Sequence, residues 1–290
     1  MTAVLQVLVL GVLLGLVYTL AGLGMTLSLG VLRVLNLVHG MTVLGGSVLA
    51  YELHAALGVN PVVSALLALP LFFALGCALH RAVVRRAQAV SAETGLLVLF
   101  GAMILLQAAA AQFWSGDIRT LTASYSDSRL QLGPVLVPSD HLVAGAGAAV
   151  LLLAVDGFLR WTTPGRAVRA LAQHPDAARI LGIPTERYAT LVFGAASALA
   201  GASGALLATV FPFSVATQTM WLTYAFIVVL VGGTGGVLNA LAGGVALGIG
   251  QAAFTQLLPL TWVSLVVYGL LLAAMVVRGG GLAGARERAL

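Results

Sequence analysis

Few residues of this chain have types able to do chemistry, and most of them stand beside glycine. Asn36 and His39 precede Gly40 in the run Val34-Leu35-Asn36-Leu37-Val38-His39-Gly40, and Gly232-Gly233-Thr234-Gly235-Gly236 leads into Val237-Leu238-Asn239. An enzyme working at membrane depth needs paired carboxylates, a histidine cluster, or a serine with lysine or histidine; no such set is found. His39 has no carboxylate partner, so it reads as a hydrogen-bonding group before it reads as a proton relay. Cys77, the single cysteine, sits in an apolar run and reads as a packing residue, and no metal site is expected. Glu52 and His54, two apart near the end of the second apolar run, read as structural groups reaching toward water. What remains is hydrogen bonding by Asn36, Thr234, Asn239 and backbone freed at glycine, which suits weak, transient contact rather than bond making.

The elements that must hold these residues are membrane helices. Hydrophobic residues make up 60% of the 290 and charged residues 8%. Neither Met1 to Leu32 nor Tyr188 to Val277 contains Asp, Glu, Lys, Arg or His, and no soluble surface tolerates such stretches. Apolar runs recur near 4–30, 41–58, 61–80, 94–113, 141–159, 188–211, 217–232, 237–257 and 262–277. This is the pattern of an all-α, polytopic membrane protein with about eight or nine transmembrane helices in one domain. Crossing the hydrocarbon takes roughly 20 residues, so the runs near 217 and 262 are short, the first is long, and broken or re-entrant segments are expected. The first run reads as an uncleaved span.

Arginine supplies all the positive charge, since lysine is absent. Arg33, Arg81, Arg85, Arg86, Arg160, Arg166, Arg169, Arg179, Arg187, Arg278, Arg286 and Arg288 fall on one side of the nine-span arrangement, which is therefore the cytoplasmic side. Arg119 and Arg129 fall opposite, in an outer loop of about 114–140 that also carries Asp117, Asp127 and Asp140. The N-terminus is then outside and the C-terminus inside. Trp114, Trp221 and Trp262 mark outer ends and Trp161 an inner end, at headgroup level. Charge placed this way reports topology, not nucleic-acid binding.

Glycines spaced by four, Gly11 with Gly15, Gly232 with Gly236 and Gly244 with Gly248, predict close helix packing. Aligning Val34 to Gly40 with Val237 to Gly243 matches Val-Leu-Asn and the closing glycine, which suggests a parallel internal repeat. Two readings of these interruptions stay open. Broken helices in corresponding halves point to a substrate path lined by Asn36, His39, Gly40, Gly232, Gly233, Thr234, Gly236 and Asn239. Alternatively they are tight inner loops, with asparagine capping a helix and glycine making the turn.

The longest polar insert runs from Thr163 to Arg187 inside a loop of about 160–187. Thr163 is read as an N-cap with Pro164 at the first helical position, starting a helix that His174-Pro175 interrupts. Ala177, Ile180 and Leu181 then share one face of a two-turn helix from Pro175, which Gly182 ends and Pro184 keeps from continuing. Too short to stand alone, such a helix requires a partner groove or, alternatively, a lipid surface.

The run from Gly165 to Arg187 closely resembles the cytoplasmic coupling loop of ABC-importer permeases of the branched-chain amino acid type, the LivH/LivM group. Gly24-Met25-Thr26 through Asn36-Leu37-Val38-His39-Gly40 looks like that group's signature around Asn-x-x-His-Gly, Phe193 to Ala208 resembles its Ala/Gly-rich span, and Val231 to Gly236 its glycine-rich turn. The Asn-x-x-His-Gly element and the short N-terminus point to the LivH-like subunit rather than the LivM-like one. The resemblance implies a permease of the bacterial inner membrane, one half of a translocation pathway for branched-chain or related hydrophobic amino acids. A second permease subunit, LivM-like or another copy, would complete it. A binding protein would deliver substrate outside, and two cytoplasmic ATPases would dock on Arg166, Arg169, Asp176, Ala177, Ile180, Leu181 and Gly182. ATP and magnesium would belong to those partners, because a chain without lysine holds no Walker-type loop. The chain would bind no cofactor of its own and hydrolyse nothing. Sugar permeases share the architecture, but their counterpart of Asn36 to Gly40 is typically acidic. Urea, short amides and aromatic acids stay open as substrates. A zwitterion crossing a charge-poor path would be met by half-helix ends, backbone groups, Asn36, Thr234 and Asn239.

Overall fold

The computed structural model describes residues 2–114, 116–126, 128–133, 135–257 and 268–269. Among these the chain forms α1 (Thr2–Leu32), α2 (His39–Leu57), α3 (Pro61–Leu79), a π-helical turn (His80–Val84), α4 (Arg85–Gln88) and α5 (Ala92–Trp114). A short hairpin, β1 (Arg129–Leu132) and β2 (Val135–Pro138), precedes α6 (Ser139–Trp161), α7 (Thr163–Gln173), α8 (Pro175–Ile180), α9 (Thr185–Val210), α10 (Thr217–Gly232) and α11 (Val237–Leu257). Helices dominate because lipid offers no partner for backbone N–H and C=O groups, which helices satisfy within the segment. Among the described residues six helices are long and apolar enough to cross a membrane, and Thr217–Gly232 is a shorter apolar one. The run near 262–277 apart from 268–269, together with Trp262, Arg278, Arg286, Arg288 and Asp127, lies outside the described residues.

At the centre stands α9, in which every residue from Ala196 through Thr209 is buried. Alanine, glycine and serine supply most of that stretch, so neighbouring backbones come close. A Cβ on Gly204 would run into the Val43 carbonyl, one on Gly46 into the Gly201 carbonyl, and one on Gly194 into Cys77 Sγ. Ser47 Oγ of α2 donates to the Gly204 carbonyl at 2.8 Å. The glycine spacing on α1 and α11 has the same purpose. Cβ atoms on Gly11 and Gly15 would lie 2.6 Å from the Cα atoms of Ile249 and Val245. Gly232 and Gly236 differ: the first abuts the Asn239 carbonyl within its own connection, and the second, at φ 110°, makes a turn.

Two faces separate as the arginines require. On one, Leu136 N donates to Gln6 Oε1 at 3.0 Å, which places the start of α1 beside the 114–140 segment. Arg119 pairs with Glu52 at 2.8 Å and lies over the Tyr51 ring, Trp114 Nε1 donates to Glu52 at 3.2 Å, and Arg119 and Phe213 exchange backbone hydrogen bonds. Glu52 and His54, whose Nε2 contacts the Thr122 carbonyl, thus tie α2 to this cap. Burial first, and Asp140 second, push the half-buried Tyr125 phenol up to about 12, so it adds no charge to this face. On the other face Arg33, Gln88, Pro175 and Glu186 line one cavity.

Three expectations change. Trp221 is 2% exposed and stacks edge-on to Tyr224 instead of sitting at headgroup level, because α10 starts beneath the outer cap. The cap of α7 is Thr162, whose Oγ1 accepts from Gly165 N at 3.1 Å, not Thr163. The 114–140 segment contains strand: Arg129 pairs with Pro138 and Leu132 with Val135.

Packing at α9 yields a paired test. Gly204→Ala should destabilise the detergent-solubilised protein by about 1–3 kcal/mol, the usual cost of overpacking. Gly101→Ala, which meets open space, should leave the melting temperature unchanged or slightly raised. Equal melting curves for the two variants would contradict the close crossing.

Candidate functional site

Leu32 ends α1, and Arg33, held at φ 54° in the left-handed region, turns the chain back toward the membrane interior. Six residues later α2 begins, far from either face. His39 Nε2 lies 2.9 Å from the Ala21 carbonyl, and Ala21 stands eleven residues before the end of α1, about 16 Å at helical rise. From His39 outward to Glu52 is about 20 Å along α2 by the same rise. A helix N-terminus, with its partial positive charge, is therefore set at membrane depth. Two glycines permit this. A Cβ on Gly24 would stand 3.0 Å from His39 Cε1, and one on Gly40 would meet the Gln218 carbonyl of α10.

The polar groups gathered here are incompletely paired. Since the Ala21 carbonyl can only accept, His39 carries its proton on Nε2, which leaves Nδ1 as a buried acceptor without a partner. Asn36, 1% exposed, leaves Oδ1 unpartnered. Asn36 caps nothing: the N-cap of α2 is Val38, without a side-chain cap bond. Against Gly40 stands Gln218, 2% exposed, whose Nε2 reaches Thr219 Oγ1 at 3.0 Å and Gln107 Oε1 at 3.5 Å while its Oε1 stays unpartnered. Trp221 Nε1, one turn further along α10, and Ser28 Oγ on α1 are unpartnered as well. Buried polar atoms nearly always have partners, so such a concentration marks a place for water or solute. Gln107, Gln218 and Ser28 were not singled out from sequence, and Trp221 was read there only as a headgroup-level marker. Their only signal is polarity inside uncharged spans.

The second glycine segment lies elsewhere. Gly40 packs against Gln218 and Leu222, and Gly232 follows Leu222 by ten residues, about 15 Å along α10. Gly233 at φ 84° and Gly236 at φ 110° make a turn, with Thr234 and Asn239 exposed and Gly235 seated against the Asn239 side chain. Val237 packs against the same Leu159, Val168 and Val192 cluster as Val31 and Leu32, on the arginine-rich side. Sequence left two readings open for both segments. The second is a tight turn, and the first is a buried, broken entry to a helix. The connections α1–α2 and α10–α11 differ in conformation: Asn36 lies in irregular chain at the start of the turn into α2, and Asn239 in the first turn of α11.

On the arginine-rich face α7 folds back on α6, because Gly165 lets it touch Phe158 and Leu159, and it is anchored by buried Val168 and Leu171. Arg166 and Arg169 face solvent. Of α8 only Ala178 is buried; Asp176 and Ala177 are exposed, Ile180 is 86% exposed and Leu181 80%. Gly182, at φ 80°, closes the turn through its N–H to the Arg179 carbonyl at 3.0 Å. The ridge of Ala177, Ile180 and Leu181 stands where its spacing placed it, on a helix one residue shorter than expected.

Residues 7–276 match the family described as the branched-chain amino acid transport system permease component. The chain belongs to that family. Relatives agree over nearly full length. The high-affinity branched-chain amino acid transport system permease protein LivH of Escherichia coli is 26% identical over 96% of this chain and 94% of its own. The corresponding BraD protein of Pseudomonas aeruginosa is 24% identical over 98% and 96%. A probable LivH of Methanocaldococcus jannaschii is 25% identical over 89% and 83%. No solved structure matches the permease significantly. This permease is thus a multi-pass membrane transport component.

Asn36 gives the site a direct test. Replacing an unpartnered buried acceptor with an apolar side chain removes a desolvation cost, so Asn36→Leu should melt at or above the wild-type temperature. A loss of about 1–3 kcal/mol, the cost of orphaning a satisfied group, would show that Asn36 has a partner.

Proposed function

We propose that this permease is one half of the translocation pathway of an ATP-driven ABC importer, taking branched-chain or related hydrophobic amino acids from an extracytoplasmic binding protein. The outer cap of 114–140 faces that binding protein, the arginine-rich face is cytoplasmic, and the N-terminus is outside. A second permease, LivM-like or a second copy, supplies the other half. Two ATPases, which hold ATP and magnesium, dock on α7 and α8.

One observation carries this reading. A six-residue helix presents Ile180 and Leu181 almost fully exposed while its neighbour α7 is clamped to the bundle by Val168 and Leu171. Such a ridge on a fixed base fits a groove in a soluble partner. Arg166 and Arg169 add charge for an acidic rim, and Asp176 and Gly182 set the start and end of the docking helix. Thr185 and Glu186 open α9 four residues after Leu181, so displacement of α8 is delivered to the central helix.

In the pathway, Asn36, His39 and Gly40 at the start of α2 form the membrane-depth recognition point. The helix N-terminus suits the carboxylate of a zwitterion, while the acceptors Asn36 Oδ1, His39 Nδ1 and Gln218 Oε1 suit its ammonium. Gly232, Gly233, Thr234, Gly236 and Asn239 line the inner exit, where a glycine turn lets two helix ends adjust. No charge is used, so contact is weak enough to release.

Leu181→Asp should leave insertion and melting unchanged, because the side chain touches little, and should abolish ATP-driven uptake when the assembled transporter is reconstituted in proteoliposomes. Uptake at the wild-type rate would refute the coupling role.

A further inference from the structure

A cavity of about 550 Å³ at the end of α3 carries charge that neither the bundle nor the transport cycle uses. His80, Arg81, Arg85, Arg86 and Gln88 line it from the π-helical turn and α4, and Glu186 from the start of α9. Arg85 is neutralised by Glu186 at 2.6 Å. Among the described residues no carboxylate comes within ion-pair distance of Arg81 or Arg86. His80 is 2% exposed, and its Nδ1 lies 3.0 Å from Thr190 Oγ1. The Thr190 hydroxyl donates to the Glu186 carbonyl at 3.0 Å, so His80 Nδ1–H is the donor in that pair. This fixes the ring and leaves Nε2 buried at the cavity without a partner. A π-helical turn, a rare element frequent at functional sites, sets the spacing between His80 and the arginines.

The surroundings are those of a lipid site. Leu66, Leu67, Leu71 and Leu75 of α3 are exposed, an apolar face suited to acyl chains. A groove of about 360 Å³ lined mainly by α2, α3 and α5 includes Leu79, the residue before His80, and extends to Phe113. A charged cavity thus meets an apolar groove at the level where a helix leaves the hydrocarbon.

We propose that this cavity binds the phosphodiester of an anionic phospholipid. Arg81 and Arg86 grip its oxygens, His80 Nε2 accepts a hydrogen bond from a headgroup hydroxyl such as that of phosphatidylglycerol, and one acyl chain lies in the groove between α2, α3 and α5. Guanidinium groups suit phosphate because they donate two parallel hydrogen bonds, and basic pockets between membrane helices are common headgroup sites. Because Glu186 opens α9, an occupied cavity braces the helix that follows α8. The binding step itself is independent of the transported substrate and of the ATPases.

Native mass spectrometry of the full chain, released from micelles containing equal phosphatidylglycerol and phosphatidylcholine, provides the test. Wild type should retain phosphatidylglycerol selectively. Arg81→Gln with Arg86→Gln should lose about thirty-fold in that preference, the factor two arginines supply at an anionic surface. Arg81→Lys with Arg86→Lys should keep most of it, and Arg129→Gln, on the opposite face, should change nothing. Retention unaltered by the double glutamine variant would overturn the site. Displacement of the lipid by millimolar inorganic phosphate would assign the cavity to a soluble anion and overturn the lipid source. Loss of the lipid on assembly with the ATPases would assign it to a protein partner and overturn the proposal.

Discussion

Hydrocarbon gives helices no reason to associate beyond van der Waals contact and hydrogen bonds, so close backbone approach at α9 is the constraint on which the rest depends. Gly194, Gly201 and Gly204 bring α3 and α2 to distances that a single methyl would forbid. With α9 enclosed on all sides, its two ends are fixed in relation to both membrane faces. One end reaches Phe213 and the outer cap through Arg119; the other starts at Thr185, directly after the exposed α8. A single rigid element therefore joins the docking ridge to the crossing with α2, whose first residue is His39.

Helix starts at depth are the second consequence. Both α2 and α10 begin below the outer cap, at His39 and Thr217, and they meet where Gly40 touches Gln218. Unwound chain at such depth is tolerated in lipid only where protein or a cavity surrounds it. Here it is held by one histidine bond to Ala21 and by glycine contacts, while Asn36 Oδ1, His39 Nδ1 and Gln218 Oε1 keep their bonding capacity. Polar capacity without charge suits a conduit, since a buried ion would hold a zwitterion too firmly or cost too much to keep.

Much of this was legible in the sequence, for identifiable reasons. Charge-free runs disclose spans because lipid penalises every ion, and arginine sorts the faces, as the Gln6–Leu136 contact and the cavity joining Arg33 to Glu186 bear out. Ala177, Ile180 and Leu181 are exposed where helical period put them. Pairings across long separations were not legible. Gln107 meets Gln218 across 111 residues, and His80 meets Thr190 across 110. Trp221 misled because an indole serves a headgroup layer or a core equally well; the depth at which α10 starts decides, and only tertiary structure sets that depth. Asn36 and Asn239 share a motif but not an environment, because Arg33 reverses the chain before the first and a glycine turn precedes the second.

The account stands on the claim that α8 is the contact through which soluble subunits drive this permease. The most direct measurement is disulfide or bifunctional crosslinking from Leu181→Cys in a Cys77→Ser background, with the permease assembled with its ATPases in membranes. The account predicts crosslinks from position 181 to an ATPase subunit, whose yield changes when nucleotide is added, and none from a cysteine at Leu130 in the outer hairpin. An intact complex that crosslinks from position 181 only to lipid, or not at all, would contradict it.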